Sequence, residues 1–176
     1  MLGNWDILGY SEADLHYRLS DAHLDAALML AKGLSEGTYS RTYSHCVVIM
    51  SMVHHATELF LKYCIARAKQ DVPTHHHIAS LWAEFQRLYP DIECDFQPPF
   101  ITVYLGYSED QLLDAIRDES SPKKRNLGDQ QLRYHTDRKG NHWPGAFGVD
   151  PDTYYDTVKG TQASMQQLHS LIENAQ

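Results

Sequence analysis

The stretch CVVIMSMVHHATELFLKYCIARAKQDVPTHHHIASLWAEFQRLY, residues 46–89, decides the fold. From Cys46 to Val53 only Ser51 is polar, and the apolar pattern runs on through Leu59, Leu61 and Ile65. Val47, Val48 and Ile49 are β-branched and would suit a strand, but the longer helical pattern outweighs them. A helix apolar on nearly every side belongs in the middle of a bundle. The spacing predicts that it starts between Thr38 and Ser44 and ends near Gln70. Pro73 and His75-His76-His77 then make a turn, and one of the three histidines is expected to cap or buttress the next helix. That helix covers about Ile78 to Tyr89. Leu81, Trp82, Phe85 and Leu88 form its apolar stripe, and Pro90 ends it.

Upstream, Ser11-Glu12-Ala13-Asp14 reads as a helix start, with Ser11 as N-cap and acids in the first turn. Leu15, Leu19, Leu24, Leu28 and Leu30 follow at helical spacing with Ala22, Ala26, Ala27 and Ala31. Gly33 and Gly37 bracket the stop near Leu34. This predicts an amphipathic, half-exposed helix. Downstream, Asp91 to Tyr107 holds Pro98-Pro99 and several β-formers and reads as an extended connection with room for one short strand. A short helix fits Glu109 to Arg117. Glu119 to Val149 reads as a long irregular loop, anchored by Tyr134, Trp143 and Phe147. The last helix opens with Asp150 as N-cap and Pro151 at its first position. Gly160 inside it either weakens the helix or marks close packing. The expected fold class is all-α: a bundle of four to five helices with a long loop before the C-terminal helix, in a single domain over residues 1–176.

Composition narrows the function. No apolar run reaches the length of a membrane span, and the first residues lack a basic region followed by an apolar one. There is no CxxC pair among the three cysteines, so a cysteine-based zinc site is not expected. Cys46 and Cys64 read as small buried hydrophobes. These points predict a cytoplasmic protein with no membrane partner. The net charge of −8 argues against broad binding to polyanions. The charge is uneven, however. Arg117, Lys123, Lys124, Arg125, Arg133, Arg138 and Lys139 fall within residues 117–139, where the net charge is +3, on a body of −11. That segment is either a local anion site or an ordinary solvated loop.

Ala56-Thr57-Glu58-Leu59-Phe60-Leu61-Lys62, a polar turn, and His77-Ile78-Ala79-Ser80-Leu81 resemble the HEPN superfamily (higher eukaryotes and prokaryotes nucleotide-binding). Its members commonly carry an A-x-E-x-x-L-K helix and then a helix opening on histidine. Leu132-Arg133-Tyr134 resembles a further family element. The resemblance spans roughly residues 12–173, with a long middle insertion. It implies a helical bundle, often a homodimer. Some members cleave RNA, and others bind nucleotides or act as scaffolds. The RNA-cleaving members use an R-x(4–6)-H motif near the last helix. Arg41–His45 and Arg138–His142 are too close for it, and Arg67–His75 and Arg125–His135 too far apart. Arg125-Asn126 begins like the R-N-x-x-x-H variant, but Gln130 stands where the histidine would be. Glutamine cannot exchange a proton near neutral pH. The chain is therefore expected to be a divergent member without the standard motif.

Arg133, Tyr134, His135, Arg138 and His142 are the candidate phosphate-binding residues. Guanidinium groups grip phosphate through paired hydrogen bonds, and aromatic rings can stack a base. The expected ligand is a nucleotide or RNA, bound without strong catalysis, and no cofactor is expected. An atypical ribonuclease using Arg125 or Arg133 with His135 is the alternative, and a structural, partner-binding bundle the second. His54, His55 and Glu58 share a helix and could suit a metal. The favoured reading is an interior Glu58 paired with Lys62 or a histidine one turn away, with His54 in the same structural set and no metal.

Overall fold

A computed structural model describes residues 8–92, 96, 98 and 150–174, apart from the side chain of Tyr43. Four helices account for most of these residues, and none of them is in a strand. They are α1 (Glu12–Ser35), α2 (Tyr43–Lys69), α3 (Ile78–Leu88) and α4 (Pro151–Asn174). The expected strand, the short helix at 109–117 and the loop at 119–149 lie outside the described residues.

Each start has a local chemical cause. Ser11 Oγ accepts the Asp14 backbone N–H at 3.1 Å and caps α1. Thr42 caps α2 through the His45 N–H. Asp150 Oδ2 accepts the Thr153 N–H at 3.0 Å, with Pro151 at the first helical position of α4. The α3 cap is His77, whose Nδ1 faces the Ser80 N–H at 3.3 Å and the Ser80 hydroxyl at 3.0 Å. The ends are equally local. Gln70 closes α2 in the left-handed region, at φ 59°. Gly37 follows α1 at φ 74°. Gly33 sits where a Cβ would lie 2.3 Å from the Tyr39 ring, so its missing side chain lets the turn fold back over the helix.

Side-chain contacts define the directions. Ser20 Oγ donates to the Ala56 carbonyl, and Tyr17 meets Tyr63, so α1 and α2 are antiparallel. Tyr17 stacks on His169, Gln162 donates to Asp25, and Ser35 donates to Asp152, so α1 and α4 are antiparallel too. It follows that α2 and α4 run the same way. Lys69 pairs with Glu84, and Tyr89 donates to the Cys64 carbonyl, which sets α3 antiparallel to the last third of α2.

The core explains the oily centre of the sequence. Every residue from Ala56 to Ala66 is buried, because α1, α3 and α4 all pack on this half of α2. Phe60 and Tyr63, both fully buried, meet Tyr17 from α1, and Phe60 also meets Phe96. The first turns of α2 differ from the expectation of burial all round. Val48 is half exposed, because α3 covers only the far end of the helix. On α1 the small residues Ala27 and Ala31 are fully buried, whereas Leu19 and Met29 face outward. Among the described residues Gly160 makes no close packing contact: none lies within 4 Å of where its Cβ would stand. Cys46 and Cys64 are buried free thiols, and burial pushes both up in pKa. No described helix is long and apolar enough to cross a membrane.

Candidate functional site

Two polar clusters interrupt this core. The first is built on Glu58, which an all-round buried helix has no open face to expose. Its carboxylate is 7% exposed and Lys62, one turn on, is 6% exposed; Lys62 Nζ lies 3.1 Å from Glu58 Oε1. The same oxygen takes a 2.7 Å hydrogen bond from His76 Nδ1. The 3.4 Å approach of Lys62 to His76 follows from both donors crowding one oxygen. His55 Nδ1 stands 4.0 Å from Oε2, and its ring meets His23 of α1 edge-on at 4.7 Å. His54 is partly buried one turn before Glu58. Burial pushes the Glu58 carboxyl up, but hydrogen bonds from His76 and Lys62, with their charges, outweigh it, and the group sits below the usual carboxylate range.

The second cluster joins three helices near the end of α4. Tyr63 donates its hydroxyl proton to Glu173 Oε1 at 2.9 Å, and the same oxygen pairs with Arg67 at 2.7 Å. His169 Nδ1 lies 2.7 Å from the Tyr63 oxygen. A phenol has one proton, so with that proton on Glu173 the imidazole must donate Nδ1–H. The chain of donors runs from His169 through Tyr63 to Glu173. Tyr17 stacks on His169 with ring centroids 3.7 Å apart and planes within 11°. Burial, then the Glu173 hydrogen bond and charge, pushes the Tyr63 phenol far above its ordinary value. Burial holds His169 below its ordinary value, partly opposed by Glu173.

That depression has a measurable consequence. The unfolded chain takes up the His169 proton near pH 6.5, whereas the folded protein resists it until lower pH. Stability is therefore unaffected by this group above about pH 7, falls as pH drops below about 6.5, and levels off below the folded pKa. Urea melts of wild type and His169→Gln between pH 5 and pH 8 should show a shallower decline in the variant. Parallel curves would mean that His169 carries no depressed pKa.

The candidate residues of the basic segment, Arg125, Arg133, Tyr134, His135, Arg138 and His142, lie outside the described residues. Among the described residues, no group of three or more His, Cys, Asp or Glu side chains is placed to hold a metal ion. The four-residue Arg-to-His spacing does occur once in the chain, from Arg18 to His23. It is on α1, far in sequence from the last helix. Five positions along a helix turn the side chains about 140° apart. Arg18 lies over the Tyr10 ring at 3.7 Å, while His23 turns to His55 on α2.

These features define an all-α bundle with a buried carboxylate–lysine pair on its central helix and a histidine-capped helix after it. The HEPN domain family model matches residues 34–113, a span that contains the whole of α2 and α3. That match supports membership of the HEPN superfamily. No curated protein and no solved structure matches it. Within the family pattern, Glu58 and Lys62 stand in the A-x-E-x-x-L-K helix, and the histidine that opens the next helix is the capping His77. Sequence reasoning missed the approach of His76 to Glu58 and the whole Tyr63–His169–Glu173–Arg67 cluster. The only advance signal was polar residues recurring on the apolar stripes of α2 and α4.

Proposed function

We propose that the chain is a HEPN module that binds a nucleotide or RNA phosphate through residues 117–142, as a homodimer and without strong catalysis of its own. One observation carries this reading. The cations of the described helices are largely committed. Lys32, Lys62, Arg67, Lys69 and Arg87 each lie against a carboxylate. Arg41 donates to the Leu34 and Ser35 carbonyls, and Arg18 covers Tyr10. A cation already paired with a carboxylate gains little by meeting phosphate. The surplus positive charge of the sequence lies in residues 117–139, where Arg133 and Arg138 could make bidentate contacts and Tyr134 could stack a base. His135 and His142 would add donors to the same anion. The altered Arg/His spacing in this segment supports binding over cleavage.

The test is a titration of ATP and of a short single-stranded RNA against wild type and Arg133→Ala. Loss of one charge-assisted contact is expected to weaken binding by about tenfold or more. The wild-type affinity should fall steeply with added salt. No binding by either protein, or equal binding by both, would reject the site. Sedimentation of the same samples would check the dimer.

A further inference from the structure

We infer that His76 is a nucleophilic imidazole that accepts a phosphoryl group at Nε2, held and charge-balanced by Glu58. This site is separate from the anion site proposed on residues 117–142, and either can fail without the other.

The geometry has two parts. The His76 side chain is 67% exposed, whereas the carboxylate that anchors it is 7% exposed. The 2.7 Å contact joins Nδ1 to Glu58 Oε1. An ionised carboxylate can only accept, so Nδ1 carries the proton. In the neutral ring the lone pair is then on Nε2. Nδ1 is the anchored nitrogen, which leaves Nε2 on the part of the ring that solvent reaches. The same division of labour makes a carboxylate-bound histidine an effective base in hydrolases, where the carboxylate fixes the tautomer and offsets the charge that develops on the ring.

Phosphoryl transfer uses both features. The Nε2 lone pair attacks the phosphorus of a phosphoramidate-class donor. The Nε2–P bond forms, the donor P–N bond breaks, and its electron pair leaves with the nitrogen as ammonia. The ring becomes positively charged, and Glu58 stabilises that charge across the Nδ1–H bond. Loss of the Nδ1 proton to Glu58 or to water then gives neutral phosphohistidine. Nothing is oxidised or reduced. Lys62, 3.1 Å from the same oxygen, balances the Glu58 charge, so the buried pair does not repel an anionic donor.

His75 is the internal control. It is exposed like its neighbour and contacts no carboxylate among the described residues. The full chain would be incubated with potassium phosphoramidate near neutral pH, and the acid-labile phosphate mapped by mass spectrometry under alkaline conditions. His76 is expected to label faster than His75 on the order of tenfold, short of the roughly hundredfold at which fully positioned acid–base groups begin. In Glu58→Gln the ratio should fall toward one. Equal labelling of the two histidines in wild type overturns the proposal. So does an unchanged ratio in folded Glu58→Gln. If that variant does not fold, the wild-type ratio alone decides.

Discussion

Glu58→Leu is expected to destabilise the protein by about 3–5 kcal/mol, the usual cost of removing one partner of a buried ion pair. The cause is what remains. Lys62 is 6% exposed, and its ammonium would be left without the carboxylate 3.1 Å away. His76 would lose its anchor as well. Urea unfolding of wild type, Glu58→Leu and Glu58→Leu/Lys62→Met would measure this. The double variant should recover most of the loss, because a buried pair replaced by apolar side chains is often neutral or better. A single variant as stable as wild type would show that Lys62 finds water or another partner. Acid should act on the same pair. The Glu58 carboxyl is depressed when folded, so its contribution is present above about pH 4.3 and is lost as pH falls through the lower folded value.

Phe60→Ala is the second large effect, at about 3–5 kcal/mol by analogy with buried aromatic truncations. Phe60 is fully buried, and its ring meets Tyr17 at 6.3 Å, Tyr63 at 5.9 Å and Phe96 at 5.7 Å between centroids. Those rings come from α1, from α2 itself and from the chain beyond α3. Shrinking Phe60 opens a cavity that no one of them can fill by moving alone. Val48→Ala, on the half-exposed turn of the same helix, should cost well under 1 kcal/mol by comparison. A Phe60→Ala loss as small as that of Val48→Ala would mean that the ring cluster is loosely packed.

The helices were legible because their causes are local. Ser11, Asp150 and Pro151 mark starts within one turn of themselves, and the histidine run supplied the cap of α3. The long central helix was legible because eleven consecutive buried residues, Ala56 to Ala66, leave a continuous apolar signature broken only by Thr57, Glu58 and Lys62. A relation such as Glu58 to Lys62 is internal to one helix, so its spacing is visible. Tyr63 and His169 are a different matter. They lie 106 positions apart, and neither has a sequence neighbour that betrays the other. Read alone, Tyr63 is a core aromatic and Glu173 a surface acid. His76 hid for a related reason. It sits in a turn, and only the angle at which that turn returns to α2 brings it onto Glu58. Exposure of Val48 was also invisible, since it depends on how short α3 is and which end of α2 it covers.

The shared direction of α2 and α4 obliges the polypeptide to travel back before its last helix can begin. Phe96 lies beside Phe60, and Asp150 stands near Arg41, just ahead of α2. Those levels differ by some seventeen helical positions, about 25 Å of rise. Fewer than about ten extended residues could bridge that gap. The residues between Phe96 and Asp150 far exceed this minimum, so the reach of the chain sets no limit on the order in which the four rods meet.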